Sequence, residues 1–131
     1  MDLSVVGAGH VGLVTGACFA DLGHSVVMVD NDPRRIANLK RGLIPFYEPG
    51  LEELGERGVR ERRLSFTTSM KEGVARSTII FIAVGTPQKA TGEADLAYVE
   101  YVARSIAEHL PGYRLVVEKS TNLNQARVAA E

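Results

Sequence analysis

Short apolar runs of strand length alternate along this chain with longer segments whose apolar residues recur at helical spacing, the pattern of a parallel sheet flanked by helices. Leu3 to Val6 and Ser25 to Val29 are expected as the first two strands, joined by a helix from His10 to Leu22 that Gly23 closes. Asp32 and Pro33 open a second helix that reaches about Lys40 and stops at Gly42, since aspartate is a good N-cap and proline suits a first turn. A proline-containing stretch from Ile44 to Pro49 leads into a helix from Gly50 to about Gly58. Leu64 to Thr67 reads as a third strand and Ser69 to Ala75 as a short helix. Thr78 to Val84 is apolar on both faces, as a buried interior strand must be. After a loop from Gly85 to Ala94, Asp95 caps a helix from Leu96 to His109, with Leu96, Val99, Val102, Ala103, Ile106 and Leu110 toward the core. Pro111-Gly112 turns the chain, and Leu115 to Val117 is the fifth strand. With no internal repeat, low-complexity tract or linker, this is one α/β domain, doubly wound around a mainly parallel sheet.

Composition narrows the function classes. A length of 131 residues suits a single core, and 45% hydrophobic with 24% charged residues is ordinary for a globular protein. A net charge of −1 supplies no basic field for nucleic acid or an anionic membrane. The basic cluster Arg57 to Arg63 is broken by Glu61 and reads as a solvated helix face and turn. No apolar run reaches the roughly 18 residues that span a bilayer. The amino end carries no basic leader or cleavage site, and a single cysteine fits a reducing cytoplasm. Cys18 shares helical spacing with Val11, Val14 and Leu22 and is expected to be a small buried core residue rather than a nucleophile.

The segment that carries chemistry is Gly7-Ala8-Gly9-His10-Val11-Gly12. A lone G-x-G-x-x-G is weak evidence; this one follows a strand, opens a helix and precedes Asp30, 18 residues beyond Gly12 at the end of the next strand. Gly7 permits the tight turn, Gly9 lets the backbone approach a pyrophosphate, and Gly12 lets the helix pack close to the strands, as in a Rossmann-type dinucleotide site. The helix end offers unpaired N–H groups and partial positive charge to the phosphates. Gly12, Gly16 and Ala20 recur every four residues and form one smooth face for a close helix–sheet contact. Asp30 accepts hydrogen bonds from the adenosine ribose and repels a 2′-phosphate, which favours NAD over NADP. Arg34 and Arg35 leave alternatives open: an arginine there accommodates that phosphate, packs on adenine or lies in solvent.

Four further stretches carry a resemblance to a family. They are the opening G-A-G-H-V-G-L-V-T-G-A-C-F-A-D-L-G-H, Ile44 to Leu54 (I-P-F-Y-E-P-G-L-E-E-L), Phe81 to Pro87 followed by Ala94-Asp95-Leu96, and Val117-Glu118-Lys119-Ser120-Thr121. In order and spacing they resemble the NAD-binding domain of the UDP-glucose/GDP-mannose dehydrogenase family, its UDP-glucose branch above all, with His10 where a tyrosine is usual. The resemblance implies that Val11 and Gly12 hold the pyrophosphate beside Gly7, Gly9 and His10, that Asp30 holds the ribose, and that Arg35 lies on the adenosine side. Val84, Gly85, Thr86 and Pro87 then line the nicotinamide-side ribose, and Ser120 and Thr121 approach the nicotinamide. From the residues alone, Thr86-Pro87 is a turn and Glu118 a strand-end charge. Glu48 either touches ligand or, with Pro49-Gly50, fixes the entry of a helix.

The family oxidises a sugar alcohol to an acid in two hydride transfers through a thiohemiacetal on a cysteine. The cysteine, lysine and aspartate for that chemistry are not among these residues, so the resemblance implies a domain that binds NAD(H) and meets a UDP-sugar only with a sugar-binding domain. GDP-mannose and UDP-N-acetylmannosamine are the alternative substrates. A stand-alone nucleotide-binding or interaction module and one half of a split enzyme are the alternative functions. The resemblance stops at Thr121, the sheet ends after about the fifth strand, and residues 122–131 read as a divergent tail. A shortened gene copy or a frame entering unrelated coding sequence is expected, against ordinary divergence. That tail either covers the open sheet edge or leaves it to pair with a second copy.

Overall fold

The structure is a computed structural model of the chain and describes residues 1–85, 89–92 and 95–119. In chain order the elements are β1 (Asp2–Val6), α1 (His10–Asp21), β2 (Ser25–Val29), α2 (Pro33–Lys40), α3 (Leu51–Arg60), β3 (Leu64–Thr67), α4 (Met70–Ala75), β4 (Ile79–Ile82), α5 (Ala97–Glu108) and β5 (Leu115–Glu118). All five strands run parallel in the order β3-β2-β1-β4-β5. The chain winds outward from β1 to β3, then returns through α4 to the other side of β1. The order therefore reverses between β1 and β4, and ligands of open α/β sheets bind at the carboxyl ends of the strands beside such a reversal.

The sheet separates two cores. Leu13, Ala17 and Ala20 of α1 pack with Leu39, Leu51 and Leu64 on one face. On the other, Val74 of α4 and Val99, Val102 and Ile106 of α5 pack on Val6, Val29, Ile80 and Ile82. Serine enters this interior once as a matched pair: the Ser4 and Ser77 hydroxyls lie 2.9 Å apart, and Ser77 Oγ donates to the Gly73 carbonyl at 2.8 Å.

Three helices end in the same way. At α1, Gly23 N–H donates to Ala20 O (3.0 Å) and His24 N–H to Phe19 O (3.1 Å); at α2, Gly42 and Leu43 repeat the pattern on Leu39 and Asn38. Both glycines occupy the left-handed position, with φ of 101° and 80°. At α3 the corresponding donors are Arg62 to Val59 (3.0 Å) and Arg63 to Gly58 (2.8 Å), so Arg62 holds that position at φ 60° with a side chain attached. Gly58 is thus inside α3, which runs to Arg60, two residues past the end expected near Gly58. A Cβ there would lie 3.0 Å from Leu64 Cβ and 3.4 Å from Ala20 Cβ, so its absence lets α3 approach α1 and β3. Arg57 pairs with Asp21 at 2.8 Å and Arg63 Nε donates to Ala20 O at 2.8 Å, so much of the basic cluster tethers α3 to α1.

Two expected core positions are corrected. Cys18 is exposed, as are Val11 and Leu22, and Leu110 lies outside the core stripe of α5. Helix α1 is apolar on nearly every side, so the apolar spacing of Val11, Val14, Cys18 and Leu22 does not mark its buried face, whereas the small-residue spacing of Gly12, Gly16 and Ala20 does. Gly12, Leu13, Gly16, Ala17 and Ala20 face inward, and a Cβ on Gly16 would meet the Met28 side chain of β2. Asp95 precedes the assigned N-cap of α5, Leu96, yet its carboxylate still accepts the Ala97 N–H at 3.0 Å. Among the described residues no helix is long and apolar enough to cross a membrane.

Candidate functional site

At the reversal, the loop from β1 to α1 meets the end of β4. Gly7 N–H donates to Val29 O at 2.7 Å and Ala83 N–H to Val6 O at 2.8 Å. A Cβ on Gly7 would sit 2.6 Å from Ala83 O, and one on Gly12 would run into the Gly7 carbonyl. These two glycines are steric requirements of the turn itself. Gly9 differs: nothing lies within 4 Å of the position its Cβ would take. It is the N-cap of α1, no side chain caps that end, and the first turn holds no acid. By contrast, Asp32 caps α2 and Ser69 caps α4. The amino end of α1 therefore presents its donors and its positive dipole to an open, uncrowded space, which suits an anion with several oxygens.

Asp30 stands beside this space at the end of β2, only 7% exposed. Its Oδ2 accepts the Ala8 N–H at 2.9 Å and Arg35 Nη1 at 3.1 Å, while Oδ1 accepts the Asp32 N–H at 2.9 Å. The carboxylate expected to grip a ribose is therefore at the crevice and bonded to the phosphate loop. The Arg35 guanidinium lies on Asp30, with 42% of its side chain exposed. The Arg34 backbone N–H is taken by the Asp32 carboxylate at 2.9 Å.

A cavity of about 140 Å³ opens next to Asp30, lined among others by Gly7, Met70, Tyr98, Tyr101 and Ser105. The two tyrosine rings stack with centroids 6.1 Å apart and 14° between planes. Burial raises the Tyr98 hydroxyl above the ordinary value of 10.0; the Asp30 charge and Tyr101 add to the rise, and Arg35 opposes it. A larger cavity, about 310 Å³, lies between α2 and α3 against Leu13, Ile44 and Phe66, and no residue of the Gly7 to Gly12 loop lines it. Of these two cavities, the smaller is joined to the loop and the carboxylate through Gly7 and Asp30.

His10 stacks on Phe46 with ring centroids 4.5 Å apart, and its Nε2 lies 2.9 Å from Glu48 Oε2. The Ile44 to Pro49 stretch is thereby held to the first residue of α1. The Glu48 carbonyl also accepts the Leu51 N–H at 3.1 Å, so this residue helps set the entry of α3 as well.

Of the residues singled out from sequence, Gly7, Gly9, His10, Val11, Gly12, Asp30, Arg35, Val84 and Gly85 converge on this end of the sheet, with Val84 buried and Gly85 exposed beyond β4. Thr86, Pro87, Ser120 and Thr121 lie outside the described residues, as does the tail 122–131. The tyrosines were missed. Tyr98, Tyr101 and Ser105 follow an i, i+3, i+7 rhythm beside the apolar stripe of α5, a signal that could have marked a second functional edge on that helix.

Comparison with known proteins places this geometry. The model of the UDP-glucose/GDP-mannose dehydrogenase family, NAD binding domain, matches residues 1–129. A UDP-glucose 6-dehydrogenase of Bacillus subtilis is 52% identical over 119 residues, which are 91% of this chain and 26% of the relative. The structure of a UDP-glucose dehydrogenase from the archaeon Pyrobaculum islandicum gives a TM-score of 0.87 at 46% identity, covering 92% of this chain and 28% of that one. GDP-mannose dehydrogenase from Pseudomonas aeruginosa gives 0.88 at 39% identity, covering 95% and 30%. The chain thus spans under a third of the length of each. With a family match of that extent, this chain belongs to the UDP-glucose/GDP-mannose dehydrogenase family, of which it is the NAD-binding domain.

Proposed function

We propose that this domain holds NAD(H) for an enzyme that oxidises the C6 alcohol of UDP-glucose to the carboxylate of UDP-glucuronate in the cytoplasm. The observation that carries the reading is the open space at Gly9, set at an uncapped helix end with Asp30 alongside. Gly7, Gly9, Val11 and Gly12 form the diphosphate cradle and His10 borders it. Asp30 takes the adenosine ribose, and adenine enters the cavity of Tyr98 and Tyr101. Val84, Gly85, Thr86 and Pro87 serve the nicotinamide-side ribose, with Ser120 and Thr121 nearer the nicotinamide. Bound NAD supplies the hydride acceptor, while the residues here bind and orient it.

The higher identity to UDP-glucose dehydrogenases than to GDP-mannose dehydrogenase favours UDP-glucose as the sugar. Residues 1–121 act as the domain and 122–131 as its tail. Alone, the domain binds the dinucleotide without turning over a nucleotide sugar, because the groups for that chemistry belong to a sugar-binding domain. Copies of the domain pair through β5, one of the two edge strands among the described residues.

Calorimetry with NAD, NADH and ADP-ribose tests the reading. Ligand at 100 times its dissociation constant stabilises a fold by about 2.7 kcal/mol. Saturable binding with a matching rise in melting temperature is expected; no heat and no shift with any of the three would overturn it. Turnover of UDP-glucose is expected only after a separate sugar-domain polypeptide is added.

A further inference from the structure

We propose that His10 ties cofactor capture to pH: receiving the diphosphate takes up a proton at this imidazole, which Phe46 and Glu48 hold beside the cradle. The proposal rests on the reading that the crevice takes a dinucleotide and names a control on that same site.

His10 is the first residue of α1 and directly follows Gly9. Its ring stacks on Phe46 with 4.5 Å between centroids and 22° between planes, and Nε2 lies 2.9 Å from Glu48 Oε2. An ionised carboxylate only accepts, so Nε2 carries a hydrogen and Nδ1 is the nitrogen that takes a second proton. With 55% and 40% of the two side chains exposed, water delivers that proton. The charges around the ring are mostly acidic. Glu48 touches it from the Ile44 to Pro49 stretch, and Glu52 and Glu53, in the first turn of α3, line one cavity of about 320 Å³ with Phe46 and Glu48. On the other side of the loop, Asp30 is bonded to Ala8 and paired with Arg35. The first turn of α1 holds no acid of its own, and Ala83 and Val84, which pack on Gly7, carry no titratable group.

Two opposing influences meet at His10. The Glu48 carboxylate favours the imidazolium, whereas the positive end of the α1 dipole disfavours a cation in the first turn. An anion seated at that end shifts the balance in one direction. Its two phosphate charges offset the dipole and attract the imidazolium. Without the added proton they face the Glu48 carboxylate instead, with Glu52 and Glu53 beyond it. The bound state therefore holds more protons than the free state, and affinity rises as pH falls through the range in which histidine titrates.

Calorimetry with NAD on the 131-residue chain, between about pH 8 and about pH 6 at fixed ionic strength, tests this. The diphosphate keeps its charge throughout, and two buffers of different ionisation enthalpy report the protons taken up. Wild type is expected to bind roughly threefold tighter or more at the lower pH, with net proton uptake. His10→Gln keeps a hydrogen-bonding partner for Glu48 and His10→Phe keeps a ring on Phe46; neither titrates, and both are expected to show a flat profile without uptake. Glu48→Gln removes the opposing charge and is expected to tighten binding at about pH 8. His24 lies beyond the other end of α1, bonded to the amino terminus at 3.2 Å, and His24→Gln is expected to keep the wild-type slope. A flat wild-type profile with NAD still bound, a slope that survives in His10→Gln and His10→Phe, or no tightening in Glu48→Gln would overturn the proposal. Wild type that binds no NAD at either pH would overturn the underlying reading instead.

Discussion

Gly9→Ala separates folding from binding at one position. The residue has φ −79° and ψ −163°, extended backbone that alanine adopts freely, and nothing lies within 4 Å of the added methyl group. Alanine is a poorer N-cap than glycine by up to about 1 kcal/mol. Loss of freedom in the unfolded chain returns about 0.4–1 kcal/mol. Stability should therefore stay within about 1 kcal/mol of wild type. Binding should not. The methyl group would stand where a diphosphate oxygen must approach the helix N–H groups. Losing one hydrogen bond to a charged group costs about 1.5–3 kcal/mol, roughly 10- to 150-fold in dissociation constant. Gly12→Ala provides the opposite control, since its methyl group runs into the Gly7 carbonyl. Forced overpacking costs about 1–3 kcal/mol or more from a total of roughly 5–15. Thermal melts with and without NAD distinguish the two: near-native melting with a reduced ligand shift for Gly9→Ala, and a lowered melting point for Gly12→Ala. A Gly9→Ala variant that binds NAD as tightly as wild type would refute the cradle.

Four more outcomes follow from the structure. Arg62→Gly relieves a left-handed side chain at the end of α3 and should stabilise by roughly 1 kcal/mol in urea melts, with a loss of stability counting against that end geometry. Ser77→Ala should cost about 1–2 kcal/mol by stripping Ser4 of its buried partner; adding Ser4→Ala should recover part of it, and strict additivity would contradict the pairing. Cys18 is exposed, so one thiol per chain should react rapidly with Ellman's reagent in the folded protein, whereas slow, unfolding-limited labelling would return it to the core. Tyr98 has its pKa raised, first by burial and then by Asp30, so its neutral form is favoured on folding. That contribution is complete below the unfolded value near 10 and declines as pH rises through the higher folded value. Tyr98→Phe should flatten the alkaline arm of the stability profile, and an unchanged arm would remove the assignment.

Much of the fold was legible because its signals are local. The strands are short apolar runs, Asp32 and Pro33 announce α2, and the glycine loop with Asp30 after the next strand marks the crevice. What was misread depended on distant partners. The small-residue face Gly12, Gly16 and Ala20 was legible and packs on the sheet, but helix α1 is apolar around most of its surface, so the spacing of Cys18 with Val11, Val14 and Leu22 did not say that Cys18 faced water. Gly58, near which the helix was expected to end, proved to be a contact surface for Ala20 and Leu64. The bond of His10 to Glu48 joins residues 38 apart, and Tyr98 lines one cavity with Asp30 from a distant helix. No periodicity records such meetings.

The hydrogen bond from Ala8 to Asp30 has a consequence for how the cofactor is received. It staples the tip of the first loop to the second strand, so the cradle is shaped in advance and little ordering is left for the moment of capture. The same staple makes the two ends of the ligand interdependent: a change at Asp30 meant for the sugar also slackens the seat of the diphosphate.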